Sequence, residues 1–136
     1  MPDSFVEFAG TPTTEEMLKR IEELGSFIEE SADDSEQEGH LTERLVDALH
    51  EAELFRMLLP KPYNGLEVTP LTFMRSIEAV ARRDASTAWC LCQQNGCSMS
   101  AAIARPDVAA LIWGDDPHGA LAWGPGKATA VPVEGG

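Results

Sequence analysis

Cys90, Gln93, Gln94 and Cys97 recur at spacings of three, four and seven, which stacks two thiols and two amides on one face of a helix. They lie in residues 85–104, a stretch without a charged side chain. Amides on an uncharged helix either bond to neighbouring helices or face a cavity, because an unpartnered buried amide is costly. Two readings follow. In one, the amides knit helices together while Ala, Ser and Gly allow close packing. In the other, they line a ligand pocket. Trp89 and Trp123 divide in the same way between core and pocket.

Other chemistry fits less well. The thiols of Cys90-x-Cys92 point about 200° apart on a helix, too far round to share one ion. His40, His50 and His118 are scattered, and His50-Glu51 has no second histidine one turn on. No Gly-x-Ser-x-Gly elbow is present, and Gly124-Pro-Gly126 lacks the spacing of a phosphate-binding loop. We assign no catalytic residue and no metal.

Residues 1–53 carry 16 of the 23 acidic side chains, and their only bases are Lys19, Arg20 and Arg44. The net charge of −13 therefore belongs to the front of the chain, most simply as a solvated helix face. Nucleic acid is disfavoured, since phosphate binding needs clustered Lys and Arg. Three cysteines packed into eight residues cannot build a disulfide framework and suit the reducing cytoplasm. The first residues have neither a basic stretch nor an apolar core, so no signal peptide is expected. The uncharged stretch holds Ser86, Thr87, Gln93, Gln94, Asn95, Ser98 and Ser100, too polar for a membrane span.

The elements that must position these groups have local signals. Thr13 with Glu16 spells a capping box and predicts a helix with the stripe Met17, Ile21, Leu24 and Ile28. Residues 31–34 are expected to break it. Ser35 with Glu38 repeats the capping pattern, ahead of a second stripe Leu41, Leu45, Leu49 and Ala52. Pro60, Pro62 and Asn64-Gly65 predict a turn. Thr69 then caps a helix that opens on Pro70, with Leu71, Met74, Ile77 and Ala81 toward the core and Thr72, Arg75, Arg82 and Arg83 toward water. Asp84 or Ser86 starts the uncharged helix, and Pro106-Asp107 a short one through Trp113 to Gly114. Leu121-Ala-Trp-Gly124 and residues 128–133 read as strands about a Pro125-Gly126 turn. The expected fold class is all-α, an orthogonal or up-down domain of about five helices with a short C-terminal β-hairpin fragment.

Leu54-Phe-Arg-Met-Leu-Leu-Pro60, Tyr63-Asn-Gly65, Asp84-Ala-Ser-Thr-Ala-Trp-Cys90, Ala122-Trp-Gly-Pro-Gly126 and Val131-Pro-Val-Glu-Gly-Gly136 together resemble the acyl-CoA dehydrogenase superfamily, over nearly the whole chain from about residue 14. The closer likeness is to its flavin-dependent monooxygenase branch. The resemblance implies a flexible lead over 1–12, an N-terminal helical domain over 13–116, and the start of an incomplete central β domain over 117–136. It makes Cys90, Gln93, Gln94, Asn95 and Cys97 substrate-cavity residues, and Trp123 and Gly124 neighbours of FAD or FMN. Neither flavin is expected to bind tightly to this chain alone, because the parts that enclose it and the catalytic residue have no counterpart here. Implied partners of a complete protein are a small-molecule substrate, a flavin reductase and further copies of itself. The competing expectation is a non-catalytic binding or scaffold module, a truncated or degenerate relative.

Overall fold

A computed structural model describes residues 10–114, 116–123, 129 and 131–135. The expected flexible lead falls mostly outside them. Six α-helices follow one another: α1 Thr14–Glu30, α2 Ala32–Glu38, α3 Glu43–Glu51, α4 Pro70–Ala81, α5 Ala85–Ser98 and α6 Pro106–Trp113. Short 3-10 turns occupy Leu54–Arg56, Lys61–Tyr63 and Met99–Ala102.

Each long helix begins where its cap residue directs. The Thr13 hydroxyl accepts the Glu16 N–H, and the Glu16 carboxylate accepts the Thr13 N–H at 2.7 Å, closing the capping box. That hydrogen bonding holds the Glu16 carboxyl below its usual range. Thr69 caps α4 with Pro70 at its first position, and the Asp84 carboxylate takes the Thr87 N–H at 2.6 Å to start α5.

The main core gathers Met17, Ile21 and Ile28 of α1, Leu45 and Leu49 of α3, Val80 of α4 and Leu91 of α5 around Leu54 and Met57. A second cluster packs Leu59 against Ala101, Ala109 and Trp113. The connector 54–68 therefore ties the two clusters together. It folds back on itself, with Leu66 N–H bonded to Arg56 O and Val68 N–H to Met57 O, both at 2.9 Å. Asn64 takes the left-handed conformation at φ 62°, and Gly65 follows where a Cβ would stand 1.7 Å from the Leu59 carbonyl oxygen. Only glycine fits there.

α1 packs chiefly on α4, and α4 on α5. The α1–α4 seam corrects the expected face of α4 in part: Ile77 packs on the core as expected, but Ala81 is exposed. The buried stripe of α4 is Thr72, Ser76 and Val80, whereas Leu71 and Met74 are exposed, Met74 by 67%. Small hydroxyl residues let the helices approach, and each hydroxyl finds a partner: Thr72 with Thr14 at 2.8 Å, Ser76 with the Thr72 carbonyl at 2.8 Å. Arg83 clamps the same pair of helices from the α4–α5 connection. Its guanidinium donates to Glu22 and Glu29 at 2.8 Å each, lying so close over Gly25 that a Cβ there would come 3.0 Å from Cζ.

Two further expectations are corrected. The second stripe is not one helix: Gly39, left-handed at φ 73°, ends α2, and Thr42 caps α3. Ser35 sits inside α2 instead of capping it, and six helices replace the expected five. The C-terminal hairpin is not seen. Residues 121–123 and 131–133 have no regular structure, and no strand forms among the described residues; Gly124, the Pro125-Gly126 turn and part of the second expected strand lie outside them. Two strands without a third partner or a helix to cover them gain too little to hold together.

Candidate functional site

The uncharged helix α5 has two faces with different work. Thr87, Ala88, Leu91, Asn95 and Ser98 turn inward. Asn95 is 0% exposed and fully used. Its Oδ1 accepts the Leu58 N–H at 3.1 Å, and its Nδ2 donates to Leu54 O at 2.8 Å and Leu91 O at 2.9 Å. This amide pins the connector to α5, so its polar groups are spent on the chain itself.

Cys90, Gln93, Gln94 and Cys97 lie together on the flank of α5 and are half-buried, as their spacing predicts. Trp89 stands beside them, 66% exposed. Gln94 Oε1 is enclosed yet has no hydrogen-bond partner, leaving an acceptor unused. Burial, and then the charge of Asp84, push the Cys90 thiol up from its ordinary range. That direction lowers the fraction of reactive thiolate at Cys90. Among the described residues, no group of three or more His, Cys, Asp or Glu is placed to hold a metal ion. Of the expected flavin neighbours, Trp123 is 71% exposed and Gly124 lies outside the described residues.

Three grooves mark the surface. One, of about 440 Å³, runs between α2 with its exit at Gly39, His40 and Leu41 and the first turn of α5, where Asp84, Ser86 and Cys90 form the wall. A second lies under His50, Arg56, Asn64 and His118. A third runs along Glu30, Asp34, Glu38 and Glu43. Each holds two or more carboxylates. In the first and third such a lining repels the phosphate of a flavin nucleotide, whereas in the second Arg56 and the Arg20–Glu53 pair offset it. What the chain does offer a ring system is the open flank of α5 and the exposed Trp123 indole.

The second groove brings together residues whose positions in the sequence revealed no association. Arg56, 7% exposed, donates from Nε to Pro117 O and from Nη1 to Tyr63 O, both at 2.9 Å, and from Nη2 to Asp116 O. The His50 ring stacks on that of His118 with centroids 4.3 Å apart. The missed signal was the Arg inside an otherwise apolar Leu-Phe-Arg-Met-Leu run, a buried cation that had to find acceptors.

Comparison with known proteins identifies relatives of this chain. Indole-3-acetate monooxygenase of Pseudomonas putida is 29% identical over 134 residues, covering 94% of this chain and 32% of its own length. Pigment production hydroxylase of Rhodococcus erythropolis is 27% identical, covering 90% and 32%. The chain thus spans about a third of the curated relatives it matches. Among solved structures, XiaF from Streptomyces sp., in complex with FADH2 and glycerol, superposes with a TM-score of 0.74 at 23% identity over 77% of this chain and 26% of its own. The HsaA monooxygenase from M. tuberculosis gives 0.72 at 24% identity, over 79% and 28%. These two establish the shared fold. The family described as acyl-CoA dehydrogenase, N-terminal domain, matches residues 11–106, and the chain belongs to it.

Proposed function

We propose that the chain is the N-terminal helical domain of a flavin-dependent aromatic monooxygenase, in which the flank of α5 forms one wall of the substrate cavity. The observation that carries this is the division of α5. Its inner face is closed by the chain's own Asn95, while on the flank Trp89 is exposed, Cys90 and Gln93 are half-buried, and an enclosed Gln94 oxygen has no partner. Leu71 and Met74, apolar yet exposed on α4, support a further covering layer. Both curated relatives are named as oxygenating enzymes, which favours hydroxylation over α,β-dehydrogenation.

In that setting the bound reduced flavin supplies the chemistry with oxygen, and FAD is favoured over FMN by the FADH2 held by the Streptomyces neighbour. The part played by this chain is positional. Trp89 and the thiols exclude water from an aromatic ring, the Gln93 and Gln94 amides meet its polar substituents, and Trp123 borders the flavin edge. No residue here serves as acid or base. A separate flavin reductase and self-association belong to the complete protein, which we place in the cytoplasm. No helix of the described residues is long and apolar enough to cross a membrane.

Two measurements test the proposal. The isolated chain titrated with FAD or FMN should show no saturable quenching of flavin fluorescence; one-to-one binding would mean that the site is complete here. In the coding sequence, in-frame continuation past Gly136 into the family's β domain is expected. A stop followed by unrelated sequence would instead favour a helical docking module built on the exposed Trp89, Met99, Ile103 and Leu111.

A further inference from the structure

The chain leaves the helical domain through a clasp that the functional reading does not use. Beyond α6, residues 116–119 form a tight turn, with Gly119 N–H bonded to Asp116 O at 3.0 Å and His118 N–H to the Asp116 carboxylate at 2.8 Å. Arg56 grips this turn from the connector through two carbonyls, and Asn64 Nδ2 donates to Gly114 O at 3.1 Å just ahead of it. Fastening the turn to α3 is the His50–His118 stack, nearly parallel at 18°. His50 also rests on Phe55, with ring centroids 4.5 Å apart.

We propose that His50, His118 and Arg56 form a pH-sensitive latch, which holds the 116–119 turn on the connector near neutrality and releases it when His50 becomes charged. A charge on His50 would stand against the His118 ring, 4.3 Å away, and close to the Arg56 guanidinium, which repels it. Carboxylates offset this repulsion only in part, since burial, His118 and Arg56 outweigh them. Asp47 and Glu51 face His50 from α3, and Asp116 faces it from the turn. Glu53 of the connector is engaged by Arg20 of α1 at 2.7 Å.

The sign of the effect follows from His50. Burial first, then His118 and Arg56, lower its proton affinity below the ordinary histidine value. A group with a depressed folded value binds its proton more readily once released. The latched state is thus fully favoured above about pH 6.5 and loses ground as pH falls below it. The latch fixes where residues 120 onward depart, so acid would loosen that exit while leaving the Asn95 staple closed. None of this depends on what the chain goes on to join.

Amide hydrogen exchange followed by NMR on the 136-residue chain tests the latch. Between about pH 7.5 and 5.5, protection of the Gly119 and His118 amides, corrected for intrinsic rates, is expected to drop several-fold, with about tenfold the most that one histidine can contribute. Protection of Leu58, held by Asn95, should stay constant. His50→Phe keeps a ring in the stack without a charge and should abolish the drop. If circular dichroism shows that variant unfolded, His118→Phe poses the same question from the exposed side. An undiminished drop in the folded Phe variant, a drop abolished only by Asp116→Asn, or no drop in the parent chain would each overturn the proposal.

Discussion

Replacing Asn95 by Ala tests whether the central helix is stapled to the connector through one amide. The substitution strips a donor from Leu54 O and an acceptor from Leu58 N–H; Leu91 O keeps its ordinary helical partner. Each buried group left unpaired costs about 1–3 kcal/mol, and the small cavity adds somewhat under 1 kcal/mol. Leu58 is only half-buried and can recruit water, which trims its share. The net loss should be about 3 kcal/mol, a large fraction of the 5–15 kcal/mol by which domains are stable. Urea unfolding followed by far-UV circular dichroism should show the midpoint falling by roughly 1–3 M. Gln94→Ala, one position away on the open flank, should stay within about 0.5 kcal/mol of the parent. Asn95→Asp gives a second, signed readout. Its carboxyl would face Leu54 O and Leu91 O, so the neutral, donating form is favoured and its folded value rises above about 3.9. The folded state then holds more protons than the unfolded chain, and stability must fall as pH rises through that window. An Asn95→Ala midpoint equal to the parent's would refute the staple.

Three further outcomes are expected. Gly65→Ala should cost about 3 kcal/mol or more in urea unfolding, because the contact it creates is with the Leu59 backbone, which cannot swing aside. Arg56→Lys should lose about 2 kcal/mol and expose the Gly119 amide to exchange, since a single ammonium cannot reach three carbonyls spread along a planar fork. Cys90 should react more slowly with iodoacetamide than free cysteine near neutral pH, as its raised thiol value requires, and catch up as pH increases; mass spectrometry of the alkylated peptide reads the rate.

Where information was local, the sequence disclosed the structure. Thr13 with Glu16, Thr69 before Pro70, and Asp84 before an uncharged run each satisfy backbone N–H groups within three residues, and all three caps form. The Asn64-Gly65 turn was equally plain, because its backbone demand is met inside the dipeptide. The division between α2 and α3 was also written locally, in Gly39 and Thr42, but the apolar stripe through Leu41 obscured it. What could not be read was tertiary. The face of α4 went the wrong way because hydrophobicity ranked Leu71 and Met74 above Thr72 and Ser76, while close helix contact rewards small side chains with satisfied hydroxyls. The His50–His118 stack joins two segments far apart in the chain and has no periodic trace. At the candidate site, the shared flank of Cys90, Gln93, Gln94 and Cys97 followed from helical geometry. Asn95 was grouped with them by resemblance, yet its side chain is spent inside the domain.

The two readings of α5 therefore describe different faces of one helix. The packing reading holds at Asn95, whose amide is consumed by the connector, and at Ser98, whose hydroxyl returns to the Gln94 carbonyl at 2.9 Å. On the flank, Gln93, Gln94 and Trp89 stand outside the apolar core, Trp89 largely exposed. Covering an exposed tryptophan and its apolar neighbours is worth about 25 cal/mol for each Å² removed from water, several kcal/mol for a patch of a few hundred Å². That free energy becomes available only when another surface arrives. Side chains that the fold does not need, on a face that gains by being covered, can be set by the ligand and by the surface that covers them. Packing thus accounts for the inner face of this fourteen-residue helix, and the recognition we propose would fall to its flank.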